Sequence, residues 1–387
     1  MYRGCSLLAG AILLGGCGDQ ETSSPQSSQE TIEQRPPIEM SGVFPLTTAV
    51  ELDAWRRPRI ELILGKAGGQ RITAMFDTGA SKSVMTLEGP MAYWDRTGLV
   101  NVANTDYKYM RFVNEKTLAV RKVVREEAEI VGGQNSSPLK LDFHLYVGDD
   151  YRASAQHLGA GPTSNFTGSV GGYFGYLPND RTELDGSLRA WLVLGHKMFD
   201  SHTMCAIGSQ GITWMPLVGY GTSNYWVVKG AVALSGGSPE QVHWIIDTGG
   251  SPSLSLPSSM YDALVREIQK DGRTTVTRRN PRDRFETISD CRDGNSRFPS
   301  IHLKIGLDTQ VVPEWDRNGI PYYLGFVQSD GSCTMFVSVD SSDKVSISTD
   351  VIDLFYFAFN QKGKTLGICL KNADTIRQLS GTLTPDI

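Results

Sequence analysis

Apolar residues in this chain come in short runs that stop at turn residues. Residues 59–76 read as a strand, a Gly-rich turn and a returning strand whose apolar run is Ile72–Phe76. Trp244–Ile246 is a second apolar run of the same kind. Turn residues recur every ten or so positions and helix-period segments are few, which predicts a mostly-β protein. The clearest exception is Ser258–Lys270. There Met260, Leu264 and Ile268 repeat every four residues after the start signal Pro257-Ser258-Ser259. That helix is expected to cover the strands behind Asp247.

Both apolar runs deliver the same tripeptide. Phe76-Asp77-Thr78-Gly79-Ala80-Ser81 is echoed by Ile246-Asp247-Thr248-Gly249-Gly250-Ser251. A single Asp-Thr-Gly reads as a strand ending in a tight turn, with Gly accepting the left-handed backbone. Two copies point to chemistry. Two carboxylates held close cannot both ionise, so one keeps a proton and serves as acid while the other serves as base.

The chain's 387 residues are 40% hydrophobic, with 41 Gly and 18 Pro, enough for two domains of ordinary size. The net charge of −5 comes with no basic cluster, which speaks against a nucleic-acid partner. The six His are scattered singly and no metal-ligand spacing is present, so no metal or other cofactor is expected.

The paired motifs and their surroundings resemble pepsin-like aspartic peptidases in their two-lobed, single-chain form. The likeness extends over roughly residues 57–372 and is patchy between 86 and 155. It includes the 59–76 hairpin, Thr213–Leu217 followed by Tyr225–Val228, and Leu254-Ser255-Leu256-Pro257 before the helix. It also includes Phe298–Ile305, Tyr356–Asn360 and Leu366–Cys369. The resemblance implies a mostly-β fold of two related barrel-like lobes, 42–215 carrying Asp77 and 216–387 carrying Asp247. A sheet joins the lobes and a cleft lies between them. It implies a monomeric endopeptidase in which Asp77 and Asp247 activate a water against a peptide or protein substrate. Thr78 and Thr248 would cross-bond the two motif loops. Gly79 and Gly249 would bring backbone amides to the carboxylates, with Ser81 and Ser251 in support.

Several positions depart from the family pattern. The third residue after each Asp is often Ser or Thr in the family, donating to the carboxylate's outer oxygen; here it is Ala80 and Gly250. Losing such donors should raise the carboxylate pKa and move the activity optimum to less acidic pH. Val84 stands where the family often has Trp. The family's flap hairpin is expected within 105–130, with Tyr109 favoured over Tyr107 as its tyrosine. The first-lobe counterpart of Ile347-Ser348-Thr349-Asp350 is either Leu194-Gly195-His196-Lys197 or His157-Leu158-Gly159-Ala160-Gly161.

At the N-terminus, Arg3 and the apolar Leu7–Leu14 precede Leu14-Gly15-Gly16-Cys17, which resembles a bacterial lipobox. This implies a signal over 1–16, a lipidated Cys17, and a tether over 17–41 rich in Ser, Gln, Glu and Pro. The chain is then expected at the cell envelope, facing the periplasm or anchored at the outer membrane. An ordinary secretion signal with an incidental Cys is the alternative. The tether is too short and acidic for the family's basic propeptide, so no zymogen step is expected. Of the six Cys, four remain after Cys5 and Cys17, and an exported protein would pair them in two disulfides. The resemblance pairs Cys291 with Cys333. It also brings Cys205 and Cys369 together in the sheet between lobes, with free buried thiols as the alternative. A rival function is a lipid-anchored peptide-binding or inhibitory protein of the same fold, although binding alone does not require both Asp-Thr-Gly copies.

Overall fold

Strands dominate this chain, as its pattern of short apolar runs predicts. The computed structural model describes residues 42–47, 57–64, 70–85, 108–111, 117–132, 139–146, 156–179, 188–221, 223–234, 236–250, 254–277, 286–291, 298–305, 329–340, 344–353 and 355–381. All fall within the unit Ile38–Ile387. The proposed signal, Cys17, the tether, Tyr107 and Ser251 lie outside the described residues.

The 59–76 hairpin forms as an antiparallel pair, Arg59–Leu64 against Gln70–Asp77. Ile60, Leu62, Leu64, Ile72, Ala74 and Phe76 all point into the core and are buried. Alternation along each strand sends Glu61 and Arg71 to the outer face, where they form an exposed ion pair at 3.0 Å. His157–Gly159 runs parallel to the end of the Asp-bearing strand, with Asp77 opposite Gly159. Val84–Met85 then lies antiparallel to His157–Gly159 and parallel to Leu139–Tyr146. Leu139–Tyr146 pairs with the long strand Thr117–Ile130, which returns to the start through Leu62 opposite Ile130. The first half thus closes a ring of six paired strands, which leaves no free edge in that ring.

The second half repeats this order. Val227–Leu234 and Glu240–Ile246 form the antiparallel hairpin that leads to Asp247. Lys344–Ile347 runs parallel beside it, and Leu254–Pro257 lies antiparallel to that strand through Leu254 opposite Ile347. Val337–Asp340 is parallel to Leu254–Pro257, and Ile301–Ile305 pairs with the outer side of Val227–Leu234. Among the described residues this is an open six-stranded sheet. The helix Ser258–Gln269 buries Met260, Tyr261, Leu264 and Ile268 and packs on the strands at 227–234, 254–257 and 337–340.

Pairing crosses the boundary expected at 215/216. Phe355–Asn360 pairs with Tyr173–Pro178 from the first half and with Thr365–Leu370, which in turn pairs with Thr213–Pro216. Both Cys pairs are disulfides. Cys205–Cys369 ties the end of the first half to the last strand, with Cα atoms 5.6 Å apart, and Cys291–Cys333 closes a loop within the second half at 6.0 Å.

The structure decides between the two candidate counterparts of 347–350. His157-Leu158-Gly159 occupies the same parallel position beside Asp77 that Ser346-Ile347-Ser348 occupies beside Asp247. Leu194 instead ends an outer strand, opposite Gly42, and leads into a short helical turn over Gly195–Phe199. A hydrophobic-hydrophobic-small pattern suits both places, so the sequence echo could not separate them.

Candidate active site

Each Asp ends a buried strand and turns at once into a tight loop. The Phe76 ring anchors the first loop from below, edge-on to Phe166 at 5.6 Å and to Phe174 at 5.8 Å. Trp226 and Phe359 from the second half join that cluster against Phe174, at 6.0 and 4.6 Å. Such aromatic contacts add about 0.5–1.5 kcal/mol each beyond the area they bury. The indole N–H of Trp226 donates to the Ala160 carbonyl at 2.8 Å, a polar link between the halves.

Below the carboxylates, the two motifs are bonded reciprocally. The Thr78 N–H donates to Thr248 Oγ1 at 3.1 Å, and the Thr248 N–H donates to Thr78 Oγ1 at 3.0 Å. Each hydroxyl then donates onward to the strand of the other half. Thr78 reaches the Ile246 carbonyl at 2.9 Å and Thr248 reaches the Phe76 carbonyl at 2.6 Å. Both threonines are fully buried, so these groups have no water to fall back on.

This lattice sets the two carboxyls side by side. The Gly79 N–H donates to Asp77 Oδ1 at 2.9 Å, and the Gly249 N–H donates to Asp247 Oδ1 at 3.0 Å. The approach across the interface is tighter still. A Cβ added to Gly79 would stand 2.3 Å from Asp247 Cγ, and one added to Gly249 would stand 2.3 Å from Asp77 Cγ. Only glycine leaves room for the opposite carboxylate at either place.

The electrostatics separate two residues that the motif makes look alike. Both Asp residues keep some exposure, yet protein crowds their remaining sides and desolvation is the largest push on each. Burial raises Asp77 above its ordinary value. A hydrogen bond from Asp247, the Gly79 amide, the charge of Arg57 and the Ala80 amide pull it back. Asp247 is pushed well above its ordinary value by burial, by the neighbouring Asp77 charge and by donating the shared hydrogen bond. The Gly249 and Gly250 amides oppose this in part. The arrangement therefore holds one proton on the pair at pH values where two separate aspartates would hold none.

The remaining sequence-selected positions are placed as follows. Ser81 sits half-buried in the bend after the first motif, and Val84 is buried in its short strand. Tyr109 lies on Lys108–Arg111, which forms an antiparallel hairpin with the start of Thr117–Ile130, Tyr109 opposite Ala119. Among the described residues no cluster of His, Cys, Asp and Glu is set as metal ligands would be. Two residues near the pair escape the motif reading. Arg57, twenty positions before Asp77, acts on it through its charge. Ser348 lies beside Gly250; the signal that could have exposed it is the alignment of 346–348 with 157–159, where Gly stands in the first half.

No known protein-family model matches this sequence, and no curated protein matches it either.

Proposed function

We propose that this chain is an aspartic endopeptidase of the pepsin-like, two-lobed kind. The observation that carries the reading is the reciprocal threonine bonding, which holds two coupled carboxyls together with one proton between them. A structural turn needs no such partner, and a binding surface needs no proton held between two acids.

The roles follow from the asymmetry of the pair. Asp77, the more readily ionised, accepts a proton from a water as the water oxygen attacks a peptide carbonyl carbon. Asp247, which holds the proton, donates to the carbonyl oxygen as that oxygen gains negative charge. The tetrahedral intermediate collapses with cleavage of its C–N bond as Asp77 passes the proton taken from the water to the leaving nitrogen and Asp247 takes back the proton of the hydroxyl that becomes the new carbonyl. The Gly79 and Gly249 amides hold the carboxylates in place throughout. In this reading the hairpin bearing Tyr109 is the flap over the cleft, and Cys17 anchors the enzyme at the cell envelope through lipid.

The test is hydrolysis of an unstructured protein between pH 3 and 7, with and without a transition-state peptide inhibitor. The wild-type chain should cleave and be inhibited. Asp77→Asn and Asp247→Asn should each lose about 10²–10⁴-fold or more, the usual worth of a positioned acid or base. Undiminished cleavage by either variant would refute the pair, and a wild-type chain inert throughout that range would leave a binding protein.

A further inference from the structure

Beside Asp247 there is a hydroxyl that the motif does not supply. Ser348 follows Lys344–Ile347, the strand parallel to the Asp-bearing strand, and is fully buried. Among the described residues its Oγ has no hydrogen-bond partner. Ser348 is also the residue that caps the short helix Thr349–Ile352. A serine in that position ordinarily turns its hydroxyl onto the backbone amides of the first turn. Here the side chain makes no such bond, although its carbonyl accepts from the Val351 and Ile352 N–H groups at 2.9 and 3.0 Å.

The hydroxyl stands near the acid instead, without being bonded to it. A Cβ added to Gly250 would stand 2.2 Å from Ser348 Oγ and 2.8 Å from Asp247 Oδ2. Both oxygens therefore border one spot that a methyl group would fill, and that spot is open only because residue 250 is glycine. The first half shows what happens without this device. There Gly159 takes the place of Ser348, and a Cβ on it would meet the Ala80 and Lys82 carbonyl oxygens at 2.7 Å. A serine side chain does not fit at residue 159.

We propose that Ser348 is the positioning residue of Asp247, its hydroxyl donating to the Asp247 carboxylate once that group has given up its proton. The inference rests on the peptidase reading for its catalytic meaning. As it stands the Ser348 hydroxyl is a buried donor without a hydrogen-bond partner among the described residues, a state that costs free energy. When Asp247 ionises, its carboxylate becomes a much stronger acceptor, and a turn of the serine side chain toward it forms a charge-assisted bond. Ser348 thereby eases release of the proton that Asp247 must pass to the substrate. The swap of roles explains why residue 250 lacks a hydroxyl: the group reaches the same carboxylate from a segment roughly a hundred residues later.

Four variants test this: Ser348→Ala, Ser348→Gly, Gly250→Ser, and the double variant Gly250→Ser/Ser348→Gly. Removing a donor to the ionised form raises the pKa of the group. Ser348→Ala should therefore move the alkaline limb of the kcat/KM–pH profile upward by about one pH unit, as expected for one charge-assisted bond. Gly250→Ser alone places its Cβ on the Ser348 oxygen and should lower Tm. The double variant moves the hydroxyl to residue 250, and should recover Tm and return the limb toward wild type. An unmoved limb in Ser348→Ala, or a double variant that keeps the Ser348→Gly limb, would overturn the assignment. If the wild-type chain cleaves nothing, the peptidase reading falls by itself. The midpoint of the pH-dependent decline in Tm then decides on Ser348 without catalysis: an upward shift in Ser348→Ala supports it, and an unchanged midpoint overturns it.

Discussion

The two halves of this protein share a strand order and differ beside the acid. In each, an antiparallel hairpin delivers an Asp, a parallel strand flanks it, and a further strand crosses back. In the first half the flanking residue is Gly159 and the residue after the motif is Ala80. In the second the flanking residue is Ser348 and the residue after the motif is Gly250. A side chain fits at one of these two places in each half, and only in the second half does it carry a hydroxyl. Identical motifs thus sit in unequal surroundings. The backbone sets where the carboxyls stand, and the residues beside them differ between the halves.

The comparison breaks most severely at the threonines. Thr78→Val and Thr248→Val each keep the shape but orphan one buried N–H and one buried carbonyl. At about 1–3 kcal/mol for each orphaned group, either variant should lose about 2–6 kcal/mol in a denaturant titration. Because the bonding is reciprocal, the two losses should be similar. A large loss from one alone would show that the halves do not share the load.

A smaller and asymmetric effect is expected from pH. Below the ordinary aspartate value of 3.8 both carboxyls are protonated whether the chain is folded or not. Above it the unfolded chain releases both protons, while the folded chain keeps one on Asp247 until the pH passes its raised pKa. The folded state then binds more protons than the unfolded state, so this pair's contribution to stability falls as pH rises through that window. Tm measured across it should decline, and Asp247→Asn should flatten the decline more than Asp77→Asn does.

The smallest effect probes the first half directly. Ala80→Ser offers Asp77 the kind of donor that Ser348 is proposed to give Asp247. It should shift the acid limb of the kcat/KM–pH profile downward by less than about one pH unit, since donors favour the ionised form. An upward shift would show that the new hydroxyl does not face the carboxylate.

Much of this architecture is readable from local pattern. The Arg59–Asp77 hairpin follows from apolar runs around a Gly-rich turn, and the Ser258–Gln269 helix from apolar residues every four positions. The repeated motif marks both acids. What local pattern does not carry is pairing between distant strands. Ser348 meets Gly250, and His157–Gly159 rather than Leu194–Lys197 flanks Asp77, because parallel strands join segments with no short-range signal linking them. The aromatic cluster of Phe76, Phe174, Trp226 and Phe359 is equally silent, since each of those rings looks like ordinary core in its own segment.

The reciprocal threonine bonds have a consequence in terms of symmetry. Residue 78 does to residue 248 what 248 does to 78, which is the rule of contact across a two-fold axis. Two copies of a single half could satisfy the same four bonds, but a true two-fold would force the same residue on both sides of it. One continuous chain removes that constraint. It can place serine at one end of the axis and glycine at the other, and so give two acids of common form different work.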